Sequence, residues 1–183
     1  TGLTRLTIPS SAKTWGDFAF ERCSNLSSIN IPSGVTRLGY GVFLGCKKLT
    51  SITIPNSVTM IDDSAFQACS GLTSITFGTG IKTIGLQAFA YCTGLTERLV
   101  LPENMNTLSD GAFEGCTGLT RAFIPQSTKT IDGLPFRACS SKLVLGTDVP
   151  YQTGGGSVPS GWNEMWCYID SSTKLGVAYG ASR

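Results

Sequence analysis

The sequence contains no histidine. That removes the commonest general base and with it the Ser-His and Cys-His nucleophile pairs. Charge is scarce as well: Asp, Glu, Lys and Arg make up 14% of the 183 residues, against roughly a quarter in ordinary globular domains. Ser, Thr and Gly supply the polar balance, so the surface is expected to be rich in hydroxyls. A net charge of +2 creates no field that argues for nucleic acid or an anionic membrane. No apolar run approaches the roughly 20 residues that cross a bilayer. The run TGGGS at 153–157 lacks the Lys and the following Ser/Thr of a phosphate loop, so it is read as a plain loop. No cofactor is expected, and the chain is expected to be non-enzymatic.

What is present is a period. Six cysteines, Cys23, Cys46, Cys69, Cys92, Cys116 and Cys139, stand at intervals of 23, 23, 23, 24 and 23. A fixed spacing of this size is the signature of a solenoid. Phe20, Phe43, Phe66, Phe89, Phe113 and Phe136 each precede a cysteine by three, and Leu26, Leu49, Leu72, Leu95 and Leu119 each follow one by three. Then come apolar pairs two apart: Leu6 and Ile8, Ile29 and Ile31, Ile52 and Ile54, Ile75 and Phe77, Leu99 and Leu101, Ala122 and Ile124. The single longer interval lies in LTERLVLP, one residue longer than LTSITIP. The opening TGLTRLTIP matches CTGLT at 92–96 without its cysteine, so the chain is expected to begin inside a repeat of a longer precursor.

Each unit reads physically. Alternation in LxxIxIP predicts a short strand with two side chains inward and the residue between them outward. Proline at 9, 32, 55, 102 and 125 removes a donor and ends it. A polar corner, a second short extended piece such as VTMI, and a turn into AFxxC follow. That last segment is too short for a stable α-helix and predicts one helical or 3₁₀ turn. One unit alone buries too little to fold, so the units must stack, each strand pairing with its copy about 4.8 Å away in a parallel sheet of about seven strands.

The pattern CxxLxxIxIPxxVxxIGxxAFxxC resembles the BspA-like, Treponema-type class of leucine-rich repeat. The resemblance covers residues 1 to about 149 in six near-complete copies and a degenerate seventh. It implies a mostly β leucine-rich repeat solenoid. It also implies a secreted or cell-surface bacterial protein that binds a protein partner, such as a host matrix or cell-surface protein, as an adhesin or interaction module. After Cys139 the pattern decays: Leu143 and Leu145 arrive two residues early, and MWCYID and KLGVAY flank SST like the arms of a hairpin. Residues 150–183 are read as a carboxy-terminal cap in which Trp162, Trp166 or Tyr168 covers the last core layer, or else as the start of a linker or another domain.

The cysteines are read as core. Metal sites need convergent thiolates, and stacked copies aim their Cβ atoms the same way, which suits disulfides poorly; a small hydrophobe fits where the coil turns. Cys167 lies outside the register. Asp62, Asp63, Asp110 and Asp132 precede AF, where Asp is expected to cap a turn by accepting backbone N–H bonds. A carboxylate pair can serve a glycosidase, and Asp62-Asp63 is the adjacent pair. Asn25-Leu26-Ser27 fits a glycosylation sequon, but Leu26 is a core position.

The outward strand positions are Arg5 and Thr7, Ser28 and Asn30, Ser51 and Thr53, Ser74 and Thr76, Arg98 and Val100, Arg121 and Phe123, Lys142 and Val144. The middle strands show only Ser, Thr and Asn, while the last three pair a cation with an apolar residue. A column of Val100, Phe123 and Val144 beside Arg98, Arg121 and Lys142 is the expected binding site, since Arg and aromatic side chains dominate interface hot spots. The competing expectation is that the cap folds over Val144 and Phe123. Two further functions remain open: a spacer that displays another domain, and a carbohydrate-binding face using Ser, Thr and Trp162 or Trp166.

Overall fold

A computed structural model describes residues 2–125, 127–141, 143–147, 169–170 and 175–177, with the backbone alone at 97, 144, 146–147 and the last two segments. The chain winds into a solenoid with two strands per coil. The LxxIxIP strands form the front: β1 (Arg5–Leu6), β2 (Ser28–Ile29), β4 (Ser51–Thr53), β6 (Ser74–Thr76), β8 (Glu97–Val100), β10 (Leu119–Ile124) and β12 (Val144–Thr147). The second extended pieces form a five-stranded parallel sheet, β3 (Arg37–Leu38), β5 (Met60–Ile61), β7 (Thr83–Ile84), β9 (Thr107–Leu108) and β11 (Thr130–Ile131). The front ladder is divided into β1–β2, β4–β6 and β8–β10–β12. Its last member continues into an antiparallel hairpin of β13 (Ile169–Asp170) and β14 (Leu175–Val177), the latter paired with β12.

The expected helical turn is corrected, because AFxxC forms no helix. In the third coil Gln67 N–H and Cys69 N–H close turns onto Ser64 and Phe66 carbonyls, while Phe66 N–H and Ala68 N–H donate to Ala88 and Ala90 one coil on, at 2.7 and 2.8 Å. Alternate donors thus serve the neighbouring coil, which an α-helix cannot allow. The geometry needs left-handed residues five and one before each cysteine from Cys23 to Cys116: Ser64 and Ala68 at φ 55° and 58°, Gln87 and Tyr91 at 52° and 59°. Glycine fills both sites in the coils of Cys46 and Cys116, where it also leaves room for a neighbour. A Cβ on Gly115 would lie 2.6 Å from the Tyr91 ring.

The core is a set of stacked columns. Phe20, Phe43, Phe66, Phe89, Phe113 and Phe136 stack face to face with centroids 4.9–5.4 Å apart. Trp15 packs edge-on against Phe20 and Phe43 at the amino-terminal end. Beside them, Sγ of Cys46, Cys69, Cys92, Cys116 and Cys139 donates to the carbonyl of Phe20, Phe43, Phe66, Phe89 and Phe113, 3.1–3.2 Å away on the preceding coil. All six register cysteines are free thiols. Burial pushes Cys46 up to about 12 and Cys139 to about 11, and raises Cys69, Cys92 and Cys116 further. These five are thiols, not thiolates, at neutral pH. Cys167 lies outside the described residues.

The extra residue of LTERLVLP has a structural consequence. No ladder joins β6 to β8 among the described residues, and the register slips between Leu119 and Arg121 where β10 meets β8. Ile75 and Phe77 are consequently half-buried, although Ile52 and Ile54 at the same positions one coil earlier are buried. Phe77 turns edge-on to Phe89 at 5.8 Å.

The aspartates work across coils rather than within turns. Asp17, Asp63 and Asp110 accept from the backbone N–H of Tyr40, Leu86 and Leu134 on the following coil, at 3.0, 2.8 and 2.7 Å. Asp62 departs from the expected cap: it is buried at 4% exposure and ion-paired with Arg37 of the preceding coil. Asp132 is exposed.

Candidate binding surface

The front sheet is the candidate site. Its outward residues Arg5, Thr7, Ser28, Asn30, Ser51, Thr53, Ser74, Thr76, Arg98, Val100 and Arg121 are exposed, because alternation along each strand sends their neighbours into the core. In the middle coils the hydroxyls are in register: Ser51 pairs with Ser74 and Thr53 with Thr76. Asn30 is drawn off the face, its amide receiving Ile8 N–H at 2.9 Å and donating to Ile8 O at 3.1 Å.

At β8 and β10 the character changes. Arg98 is in register with Arg121, and Val100 with Phe123. Val100 is 47% exposed. Phe123 is half-buried, and what lies on it is Arg98, whose guanidinium carbon sits 4.2 Å from the ring centroid. That separation is within cation–π range. Among the described residues neither Arg98 nor Arg121 has a carboxylate partner, whereas Arg37 pairs with Asp62 and Arg137 with Glu114.

The third strand does not stand where its sequence suggests. β12 aligns Val144 with Arg121 and Gly146 with Phe123, so Val144 does not continue the Val100–Phe123 column. One residue is gained after Cys139 and one lost before the strand. Leu143 N–H closes a turn onto Ser140 O as Leu119 does onto Cys116 O, so Leu143 takes the post-cysteine leucine place and Leu145 aligns with Ala122. Both leucines are buried. The Lys142 and Val144 side chains, with Trp162, Trp166 and Tyr168, lie outside the described residues. The hairpin backbone meets β12 edge to edge, Val144 opposite Val177 and Leu145 opposite Gly176, and so lengthens the sheet.

The turn ridge carries a polar cluster that the sequence pattern hid. Glu114 receives the Tyr91 hydroxyl at 2.9 Å, the Gln87 amide at 3.1 Å and Arg137 at 2.6 Å. The Arg137 and Gln87 bonds hold the Glu114 carboxyl down at about 2, well below the usual range. Its partners come from the two flanking coils, so no local motif announces it. Among the described residues no group of three His, Cys, Asp or Glu converges to hold a metal ion, and no helix is long and apolar enough to cross a membrane.

Comparison with known proteins agrees with this geometry. The model of the BspA type leucine rich repeat region matches residues 1–98 in six copies. No curated protein sequence matches the chain. Among solved structures, a leucine-rich repeat protein from Bacteroides ovatus is 31% identical over 71% of this chain and 39% of its own, with a TM-score of 0.55. One from Eubacterium ventriosum is 30% identical over 85% and 47%, with a TM-score of 0.63. A leucine rich cell surface protein from Faecalibacterium prausnitzii is 27% identical over 81% and 48%, at 0.65. The chain spans less than half the length of each of these three. With a matching repeat model over more than half its length and the fold of these bacterial proteins, the chain belongs to the BspA-type leucine-rich repeat family.

Proposed function

We propose that this chain is a non-enzymatic recognition module, secreted or displayed at a bacterial surface, that binds a protein partner through the front face at β8 and β10. One observation carries the reading: along the described face, cations stand beside outward apolar residues at the Arg98, Val100, Arg121 and Phe123 patch, whereas Arg5 stands beside Thr7 and the strands between carry Ser, Thr and Asn. Arg and aromatic groups on a flat face are the chemistry of interface hot spots. The surface location is supported by the Faecalibacterium relative, described as a cell surface protein. The test is binding of the purified chain to immobilised host matrix proteins, compared with the Arg121→Glu, Phe123→Ala double variant of unchanged circular dichroism. Loss of binding in the variant is expected. Equal binding by both proteins assigns recognition to another surface, and no binding to any matrix protein removes the matrix class of partner.

A second reading, a spacer that displays another domain, is supported by the relatives' greater length. A catalytic or carbohydrate-binding domain in the complete open reading frame would favour it.

A further inference from the structure

We infer that the patch at β8 and β10 takes an extended acidic peptide, with an Asp or Glu side chain followed two residues later by an apolar one. The inference rests on the front-face reading above and specifies its ligand. Arg98 and Arg121 are cross-strand neighbours in register, on strands spaced about 4.8 Å. Like charges directly opposite one another destabilise a sheet, and the described residues offer this pair no carboxylate. The arrangement makes physical sense when an incoming anion bridges both guanidiniums. Arg98 is already held for that role, since its stacking on Phe123 at 4.2 Å removes rotamer freedom before any ligand arrives.

The second row sets the spacing. Val100 and Phe123 are in register two residues beyond the arginines, about 7 Å along the strands. Two residues of an extended peptide span the same distance, so a chain lying along the strand direction places its acid over the arginines and its next same-side residue over Val100. A sulfated glycan would satisfy the cations but leave the 47% exposed Val100 in water. A nucleic acid needs a longer cationic track than two strands supply, and the preceding registers are Ser51 and Ser74.

The test uses residues 1–183 immobilised against a phage library of random dodecapeptides, with heparin as the glycan probe. Enrichment of an acid followed at the second position by Leu, Ile, Val, Met or Phe is expected. Selected peptides should bind the Arg98→Gln, Arg121→Gln variant about tenfold or more weakly, weaken with added salt, and lose affinity when the acid becomes its amide. Val100→Ser should weaken them without changing the salt dependence. Enriched peptides without an acid, or acidic peptides that bind the double variant equally well, overturn the inference. Heparin binding that depends on the two arginines, with no peptide enrichment, also overturns it while leaving the front face as the binding surface. Matrix binding indifferent to Arg121→Glu with Phe123→Ala is the separate result that removes the face itself.

Discussion

Replacing Phe66 with alanine tests whether the aromatic column is what joins the coils. Phe66 is fully buried and stacks at 5.0 Å on Phe43 and 4.9 Å on Phe89. Truncating a buried Phe costs about 3–5 kcal/mol, and the loss of two ring pairs, each contributing about 0.5–1.5 kcal/mol, places this site at the upper end. Against a total stability of about 5–15 kcal/mol, roughly a third or more is removed. At about 2–4 °C per kcal/mol for a chain of this size, the melting temperature should fall by about 10 °C or more. Coils touch only their neighbours, so a central defect should also broaden unfolding into two halves. Phe136→Ala is the control: that ring is half-buried and, among the described residues, stacks on Phe113 alone, at 5.4 Å. It should cost about half as much. The assay is urea unfolding followed by far-ultraviolet circular dichroism, and at about 2 kcal/mol/M the Phe66→Ala midpoint should drop by about 2 M. Equal losses in the two variants, or a Phe66→Ala loss below about 1 kcal/mol, would refute the reasoning.

Other consequences are equally open to measurement. The thiols of Cys46, Cys69, Cys92 and Cys116 are buried and protonated, so Ellman's reagent at pH 8 should modify these four only as fast as the fold opens, and their rapid labelling in the native state, read by peptide mapping, would contradict the column. Glu114 has a folded pKa of about 2, below its unfolded value, so its contribution is present above about 4.5 and is lost as the pH falls toward 2. Glu114→Gln should flatten that part of the pH profile and cost about 1–3 kcal/mol at pH 7 by weakening the bond to Arg137; an unchanged acid limb would count against the cluster. Asp63→Ala removes the acceptor for Leu86 N–H and should lower stability by about 1 kcal/mol, readable in the same urea titration. A neutral result there would show that water replaces the carboxylate.

Much of the architecture was legible in the residues. The cysteine interval gave the period, and the positions of Phe, Leu and the paired apolar residues gave the core columns, because each coil repeats one local pattern and stacking makes the copies meet. The thiols were correctly read as core, since a lone cysteine per coil has no convergent partner. The turn into AFxxC was not, because whether an N–H closes a helix or reaches the next coil depends on a backbone 22 residues away. The aspartates were read in part for the same reason: Asp63 and Asp110 accept backbone N–H bonds as expected, but from the following coil rather than from their own turn.

The candidate site shows the same division. Alternation along each strand was enough to place Arg98, Val100 and Arg121 outward, because a side chain in a pleated strand has only two faces to choose from. It could not decide which residue of β12 faces Phe123, since one residue gained and one lost around Leu143 cancel in the count but not in the path, and the register was settled by backbone pairing. Nor could it show Arg98 lying over Phe123 or Glu114 gathering Tyr91, Gln87 and Arg137. The sequence by itself determined the period, the core and the outward positions, which follow from local periodicity. Tertiary structure alone decided the contacts between coils, because these depend on which atoms stacking brings within a hydrogen bond's reach.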